Sequence, residues 1–355
     1  MKAAKFQSDL LKWYDVHARD LPWRIKPRTK PDATANTKPQ ARPHGMPDPY
    51  AVWLSEIMLQ QTTVATVKAY FTAFTHRWPT VQALASAPLD DILAAWAGLG
   101  YYSRARNLHA CAQLIAEQRQ GVFPSEVADL LTLPGVGPYT AAAISAIAFG
   151  RPAVVIDGNI DRVMTRLHAS HVPIKTNKAA IRDWAGALTP QDRPGDYAQA
   201  LMDLGATLCR PTTPQCPLCP VKDHCAAHKQ DSAAALPIKA PKPERPTRVG
   251  HAYLIQNQAG HVLIDKRPAR GLLGGMDGLP TSDWQADAPP PLPASTPLNL
   301  EVRHTFTHFH LRLHLHRASA DQAGQFPNAR FISDFSNLAL PTLFQKALKA
   351  ANHCL

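Results

Sequence analysis

The sequence predicts two domains of different class, a mainly α-helical amino-terminal domain and a smaller α+β domain after it. Apolar residues recur at helical spacing through residues 1–230. In residues 249–355 the pattern changes to alternation, above all in TFTHFHLRLHLH, where successive side chains point to opposite faces. Residues 231–248 are rich in proline and charge, a composition typical of a linker. The boundary between the two domains is therefore predicted within this linker.

Several segments of the first domain have the apolar periodicity of a helix. They are residues 6–16, 51–74, 89–96, 104–117, 127–133, 140–148, 160–169 and 196–208. Residues 25–49 interrupt this pattern, because their prolines and basic residues cannot sustain a helix or a central strand. We interpret them as an inserted surface loop. The second domain is predicted to close with a helix at residues 340–351.

The charge balance favours a polyanionic partner. Lysine and arginine number 38 against 27 acidic residues, a formal net charge of +11, and this excess suits nucleic acid, although many basic proteins only have a solvated basic face. No run approaches the roughly 20 apolar residues of a membrane span, and the first residues lack the apolar core of a signal peptide. We expect a monomer with no membrane partner, located in the cytoplasm and associated with the nucleoid if the source is bacterial.

Four cysteines lie close together in CRPTTPQCPLCPVKDHC. Cys209, Cys216, Cys219 and Cys225 have the spacing C-x6-C-x2-C-x5-C, and in a reducing compartment such a group indicates a metal site more often than disulfides. Zinc sites usually combine two short Cys-x2-Cys pairs, whereas this array has one pair and two outlying cysteines. The spacing favours an iron–sulfur cluster and leaves zinc as the alternative.

The motif LPGVGPYT joins two helical patterns. Its glycines permit a tight backbone in which the N–H groups of Gly135, Val136 and Gly137 face one point beside a helix N-terminus. Such a hairpin can bind a DNA phosphate without reading the base sequence. The alternative is a plain turn between two helices.

Two carboxyl groups have the sequence context of a catalytic pair. Glu56 shares a helical face with Trp53 and Leu59, so burial should raise its pKa, unless it lies half-exposed at the rim of the core. Asp157 ends a β-branched run and opens a helix, where an aspartate usually caps the helix and is kept ionised by its dipole. A protonated acid beside an ionised carboxylate is the arrangement that cleaves glycosidic bonds.

Together these motifs resemble the helix-hairpin-helix iron–sulfur DNA glycosylases, and within them the adenine DNA glycosylases. The resemblance covers nearly the whole chain. It rests on LPW, PYAVWLSEIMLQQT, APLDDILAAWAGLGYYSRARNL, LPGVGPYTAAAI, IDGNIDRV, ALMDLGATLC, the cysteines and FTHFHL. It implies two α subdomains with a [4Fe-4S] cluster on the four cysteines, then a Nudix-like domain. The implied reaction is excision of adenine mispaired with 8-oxoguanine or guanine in double-stranded DNA, after the base is flipped out of the helix.

The resemblance also implies roles for individual residues. Glu56 would protonate adenine, Asp157 would stabilise the sugar cation or add to it, Asn159 would help to place this pair, and Tyr139 would contact it. The implied adenine pocket consists of Arg19, Leu21, Trp23, Arg24 and Gln199. The residues implied to wedge into the base stack are Gln61 and Tyr101.

Tyr139 separates two kinds of relative. Endonuclease III-like enzymes carry a lysine at this position, which forms a Schiff base with the sugar before the strand is cut. A phenol cannot form a Schiff base, so the sequence predicts a monofunctional glycosylase. The alternatives are a bifunctional glycosylase/lyase and a non-catalytic iron–sulfur protein that binds DNA.

The carboxy-terminal domain resembles a Nudix module without its metal-binding helix. GLLGGMDGLPTSDW lacks the acidic run that binds magnesium in Nudix hydrolases, so nucleotide pyrophosphatase activity is not expected. Phe306, Thr307 and His308 lie where the family usually has Phe-Ser-His, which implies recognition of 8-oxoguanine with threonine in place of serine. The alternative is that His308, together with the alternating histidines at positions 310, 314 and 316, is one of a row of solvated or adventitiously metal-binding side chains on one strand face.

Overall fold

The computed structural model describes residues 2–25, 27, 45–238, 244–335 and 338–351. The chain divides into two compact units: Met1–Ala85 with Ala110–Pro241, and Ser86–His109 with Lys242–Leu355. A helical stretch in the first third of the chain therefore groups with the carboxy-terminal part, which the predicted domains do not anticipate. The domain bounds 1–230, 231–248 and 249–355 stay a prediction. The predicted insertion at residues 25–49 lies mostly outside the described residues.

Helices dominate the described residues up to position 230. They are α1 (Ala3–His17), α2 (Pro49–Leu59), α3 (Val64–Arg77), α4 (Val81–Ser86), α5 (Leu89–Ala95), α6 (Ser103–Gln118), α7 (Val127–Leu130), α8 (Pro138–Phe149), α9 (Gly158–Leu167), α10 (Lys178–Leu188), α11 (Pro194–Thr207) and α12 (Ala226–Lys229). The four cysteines lie between α11 and α12, where short 3-10 turns cover Cys216–Leu218 and Lys222–His224. In the described part of the chain, no helix is both long enough and apolar enough to cross a membrane.

The predicted helix at residues 51–74 is wrong, because it is two helices. α2 ends at Leu59, and Gln61 then adopts a left-handed backbone with φ of 58°. The side chain of Thr63 accepts a hydrogen bond from the N–H of Thr66 and caps α3. Continuous apolar character hid this boundary, although a threonine before a new apolar run is a capping signal. The turn places Gln60 and Gln61 at the surface of a cavity.

The sequence prediction also missed α10. This helix buries Ile181, Ala185 and Leu188, which have the i, i+4, i+7 spacing of a core-facing stripe. Alanines and a glycine on the other faces weaken the contrast between the apolar and polar sides. The spacing of the three buried residues is the signal that could have found it.

Helix α8 lies at the centre of the first unit. It is buried on all sides from Thr140 to Ala148, begins with Pro138 and ends at Phe149. Gly150 follows as the C-cap, and its φ of 64° is a left-handed backbone conformation that favours glycine. α8 packs against both α2 and α11, and α11 also packs against α9. This packing places Tyr139, at the start of α8, beside Glu56 of α2.

The second unit contains two three-stranded sheets. The strands are β1 (Thr247–Ile255), β2 (Val262–Lys266), β3 (Asp277–Gly278), β4 (Thr296–Thr305), β5 (His310–Ala318) and β6 (Ala329–Ile332). One sheet has the order β1-β5-β4, with β1 and β5 parallel and β4 antiparallel to β5; the other has the antiparallel order β3-β2-β6. A final helix, α13 (Thr342–Ala351), buries Leu343, Phe344 and Ala347 against a core of strand residues.

The predicted run of strand through TFTHFHLRLHLH is only partly right. β4 ends at Thr305, a tight turn covers residues 306–309, and β5 begins at His310. The amide of Phe306 donates to the carbonyl of Phe309 at 2.9 Å and closes the turn. His308 is therefore exposed in a turn and is not part of a histidine row. His316, in contrast, is buried and its ring nitrogen lies 2.9 Å from a ring nitrogen of His251.

Candidate active site

A cavity of about 820 Å³ opens in the first unit where α2, α8, α9 and α11 meet. It brings together Glu56, Tyr139, Asp157 and Asn159, which come from three helices and a helix cap. The predicted adenine-pocket residues also line it: Arg19, Leu21, Trp23, Arg24 and Gln199. The sequence thus picked out side chains that are distant along the chain and neighbours in space.

Glu56 is buried in this cavity and accepts a hydrogen bond from a tyrosine. It is only 5% exposed, and the hydroxyl of Tyr139 donates to its Oε2 at 2.6 Å. Burial raises the pKa of Glu56 to about 7, against the smaller opposing effects of Tyr139 and the Arg24 guanidinium. Burial likewise raises the pKa of the Tyr139 phenol well above its usual value. Glu56 can therefore hold a transferable proton near neutral pH.

Asp157 caps the helix α9. Its Oδ1 accepts from the N–H of Ile160 at 2.7 Å, and its Oδ2 accepts from the side-chain amide of Asn159 at 2.8 Å. Both carboxylate oxygens therefore accept hydrogen bonds, which fix the orientation of the carboxylate at the start of α9. The sequence left capping and catalysis open for this residue, and the cap is present at the wall of the cavity.

Two arginines of α9 connect this helix to the cysteine segment. Arg162 donates to the side-chain oxygen of Asn159 at 2.9 Å and to the carbonyls of Gly205 and Cys209, both at 2.8 Å. Arg166 donates to the sulfur of Cys209 at 3.2 Å. Sequence reasoning missed both arginines, although their i, i+4 spacing behind IDGN places them on one helix face.

The arginines of the adenine pocket share a buried acid. Arg19 Nε donates to Asp203 Oδ1 at 2.6 Å, and Arg24 Nη1 donates to Asp203 Oδ2 at 2.8 Å. The backbone N–H of Arg19 is a third donor, 3.1 Å from Oδ2. Asp203 is fully buried and was missed at the sequence level, although it is a single acid among the apolar residues of ALMDLGATLC. Gln199 lies one turn before it on α11 and is buried too.

The LPGVG turn has the predicted tight backbone. Gly135 has a φ of 76°, a conformation that favours glycine, and both Gly135 and Gly137 line the cavity. The N–H of Val136 donates to the carbonyl of Leu133 at 3.1 Å, and Val136 is buried. The N–H of Val136 therefore stabilises the turn itself and is already hydrogen-bonded. A phosphate contact by Gly135 and Gly137 stays a prediction.

The four cysteines follow α11 in a half-buried loop. Burial raises the pKa of Cys219 to about 12, and the nearby thiols, Cys209 foremost, add to this. Four thiols on one short loop are the donor set of a [4Fe-4S] cluster. However, within the ranges that the structure describes, no three His, Cys, Asp or Glu side chains converge as ligands of a metal ion. The donor chemistry fits the cluster, and the cluster itself stays a proposal.

The predicted 8-oxoguanine residues lie in the second unit, in the turn between β4 and β5. Phe306 stacks on Trp284 and packs at a tilt against Phe309, so its ring anchors the turn, while Thr307 and His308 are exposed. Thr307 Oγ1 donates to the hydroxyl of Tyr101 at 3.1 Å. Tyr101 is 45% exposed and has a left-handed φ of 47°. Two residues predicted to meet DNA, 206 positions apart, are thus in contact.

Comparison with known proteins identifies the family. A family model described as "HhH-GPD superfamily base excision DNA repair protein" matches residues 54–185, and a NUDIX domain model matches residues 251–350. The chain is 34% identical to the adenine DNA glycosylase of Homo sapiens, over 97% of this chain and 73% of that protein. It is 33% identical to that of Buchnera aphidicola subsp. Baizongia pistaciae, over 77% of this chain and 72% of that protein. The chain belongs to the adenine DNA glycosylase family.

Solved structures agree with this family at the level of fold. A thermostable thymine-DNA glycosylase superposes with a TM-score of 0.53 and 28% identity, covering 64% of this chain and 97% of that one. An endonuclease III–DNA covalent intermediate superposes with a TM-score of 0.51 and 20% identity, over 65% of this chain and 99% of that one. Membership in the adenine DNA glycosylase family confirms the predicted fold class and enzyme class, a DNA glycosylase that hydrolyses N-glycosyl bonds.

Proposed function

We propose that the protein hydrolyses the N-glycosidic bond of adenine paired with 8-oxoguanine or guanine in double-stranded DNA. The family supports adenine excision. The observation that carries the proposal is the convergence of Glu56, hydrogen-bonded to Tyr139, and Asp157, held by Asn159 and Ile160, on one cavity. The cavity is large enough for a base and has both apolar and polar walls.

The reaction requires a proton on the leaving base and negative charge near the sugar. Glu56, with a pKa of about 7, donates its proton to a ring nitrogen of the flipped adenine as the glycosidic bond breaks. The hydroxyl of Tyr139 then stabilises the carboxylate that remains, since it already donates to it. Asp157 faces the oxocarbenium-like sugar, with or without a covalent intermediate, before water completes hydrolysis.

A [4Fe-4S] cluster on the four cysteines would order the loop between α11 and α12 and would offer redox chemistry. The loop is joined to α9 by Arg162 and Arg166, so its order bears on the helix that Asp157 caps. Brown colour and visible absorbance, with iron near four atoms per chain, are expected of the purified protein. Zinc in place of iron would reject the cluster.

The decisive experiment is excision from a labelled duplex that carries adenine opposite 8-oxoguanine, guanine or thymine. Heating in alkali should break the strand at the adenine of the first two duplexes, and no break would reject the function. Glu56→Gln and Asp157→Asn should bind the mispair and lose excision about 100-fold or more. Glu126→Gln, a change at an exposed acid paired with Arg151, is the matched control and should excise normally.

The two alternatives are separated by further results. Borohydride trapping of an enzyme–DNA adduct in high yield would indicate a bifunctional lyase, which Tyr139 disfavours because a phenol forms no Schiff base. A non-catalytic DNA-binding role would be indicated if the parent bound the mispair without excising adenine. Carboxyl variants that excised as fast as the parent would instead refute the catalytic assignment of Glu56 and Asp157. A monomeric state and a cytoplasmic location, with the nucleoid as the site in a bacterium, belong to the same proposal, and gel filtration tests the first.

A further inference from the structure

The adenine pocket contains an electrostatic conflict. Glu56 must keep a proton near neutral pH to act as an acid, yet the same cavity is lined by two guanidinium groups, those of Arg19 and Arg24. A cation close to a buried carboxyl group favours its ionised form. The groups that act on Glu56 are Tyr139 from α8, Arg24 from the segment after α1, and Asp157 at the start of α9.

Asp203 resolves this conflict by its position on α11. It is fully buried, and its two oxygens accept from Arg19 Nε, Arg24 Nη1 and the backbone N–H of Arg19. The Arg24 side chain is also almost wholly buried, so its charge is not screened by water. The phenol of Tyr14 on α1 is a further titratable group beside this cluster. Asp203 is thus the acid that compensates both cations.

We propose that Asp203 is a positioning residue that binds Arg19 and Arg24 and thereby prevents Arg24 from forming an ion pair with Glu56. The proposal rests on the proposed function, in which Glu56 is the acid. The aspartate of ALMDLGATLC would then have an electrostatic role in addition to packing. The pocket thereby keeps both arginines, while the carboxyl group of Glu56 stays protonated.

The test is the dependence of single-turnover excision on pH in Asp203→Asn. This variant keeps the shape of the side chain and removes its charge. Arg24, the cation that acts on Glu56, is then no longer compensated. The alkaline limb of the profile should move to lower pH by about 1 unit. Excision should then fall about tenfold at pH 8 and little at pH 5.5. If Asp203 had only a structural role, the excision rate would fall by the same factor at every pH.

Further variants separate charge from packing. Asp203→Glu keeps the charge and should keep the limb at the parental pH, and Asp203→Asn/Arg24→Gln should return the limb toward higher pH. The matched control is Asp277→Asn in the second unit, another buried aspartate held by an arginine, Arg330. It should not move the limb. A shift that persists without Arg24 would overturn the proposal.

Two measurements cover the remaining outcomes. If Asp203→Asn does not fold, Arg24→Gln alone should raise the limb, and an unchanged limb would count against the proposal. If the parent does not excise adenine, the proposed function fails while Asp203 is still testable through stability. At pH 8, Glu56→Gln should have a higher free energy of unfolding than the parent. The same substitution should give a smaller increase when Asp203→Asn is already present, and an equal increase would refute the inference.

Discussion

At the scale of single residues, burial sets the chemistry of Glu56. Its pKa rises from an ordinary 4.5 to about 7 because burial removes the carboxyl group from water. Excision should therefore be constant at lower pH and decline as the pH rises through about 7, when the acid loses its proton. Single-turnover rates between pH 5 and pH 9 measure this limb. Tyr139→Phe removes the hydrogen bond to the carboxylate and should move this limb to higher pH. An unchanged limb in this variant would contradict the assignment.

The same shift has a consequence for stability. Between pH 4.5 and about 7, Glu56 holds its proton in the folded protein but not in the unfolded chain. The free energy of unfolding therefore decreases as the pH rises through this window. The full rise corresponds to roughly 3 kcal/mol. Glu56→Gln should consequently unfold at higher urea concentration than the parent at pH 8, with little difference near pH 4.5. Glu126→Gln, at an exposed position, should show no such pH dependence.

The sequence could reveal the residues of the site but not all of their partners. Glu56 and Asp157 are visible because a carboxyl group in an apolar stripe and an aspartate at a helix start break the local pattern. Asp203 breaks its pattern equally, but its role depends on Arg19 and Arg24, which are about 180 positions earlier in the chain. Only the packing of α11 against α1 brings these groups together. Long-range pairing of this kind has no local signal.

At the scale of elements, the close approach of α9 and α11 depends on Gly205. A Cβ atom there would lie 2.6 Å from the Cβ of Asn159, so α9 would have to move. Gly205→Ala should destabilise the protein by about 1–3 kcal/mol and slow excision, because Asn159 holds Asp157. Urea unfolding and excision rates measure the two effects. Gly186→Ala in α10 is the control, since its Cβ would meet only Val154 at 3.6 Å and should stabilise the helix slightly.

The link between α9 and the cysteine loop can be tested through Arg162. Arg162→Met removes the hydrogen bonds to Asn159, Gly205 and Cys209 while it keeps most of the apolar stem. One buried and two part-buried acceptors then lose a charged donor, so we expect a loss of about 1–3 kcal/mol in unfolding free energy and a slower excision step. Arg182→Met, on the surface of α10, is the control. Excision at the parental rate with normal stability would show that the link is dispensable.

Elements were predicted best where one signal dominates. α8 has proline at its start and glycine at its end, and it was placed within two residues at its start. The boundary between α2 and α3 was missed because apolar residues continue across it, and the turn after Thr305 was missed because strand-like alternation continues through it. In both cases the chain turns, at Gln61 and at Phe306, although the apolar or alternating pattern continues through the turn. Periodicity reports which residues are buried, and it does not report where the chain reverses.

At the scale of the whole molecule, the grouping of Ser86–His109 with the carboxy-terminal residues is what the linear sequence could least predict. Lys266 lies 2.6 Å from Asp90, and Arg106 donates to the carbonyl of Gly274 at 2.5 Å. These contacts join a helical segment to a region matched by the NUDIX model. The segment carries Tyr101, so the second unit contains both a predicted base-stack wedge and the turn predicted to recognise 8-oxoguanine.

The contact between Thr307 and Tyr101 predicts a role for the threonine in mispair preference. Thr307→Val keeps the shape of the side chain and removes the hydroxyl that donates to Tyr101. We expect the ratio of excision rates opposite 8-oxoguanine and opposite guanine to fall about fivefold or more, as is typical when one hydrogen bond of about 1 kcal/mol is lost. Thr307→Ser keeps the hydroxyl and should keep the ratio. Ser319→Ala, at an exposed site of the same unit, is the control. If the valine variant keeps the parental ratio while its excision of both mispairs is normal, the hydroxyl of Thr307 has no part in discrimination.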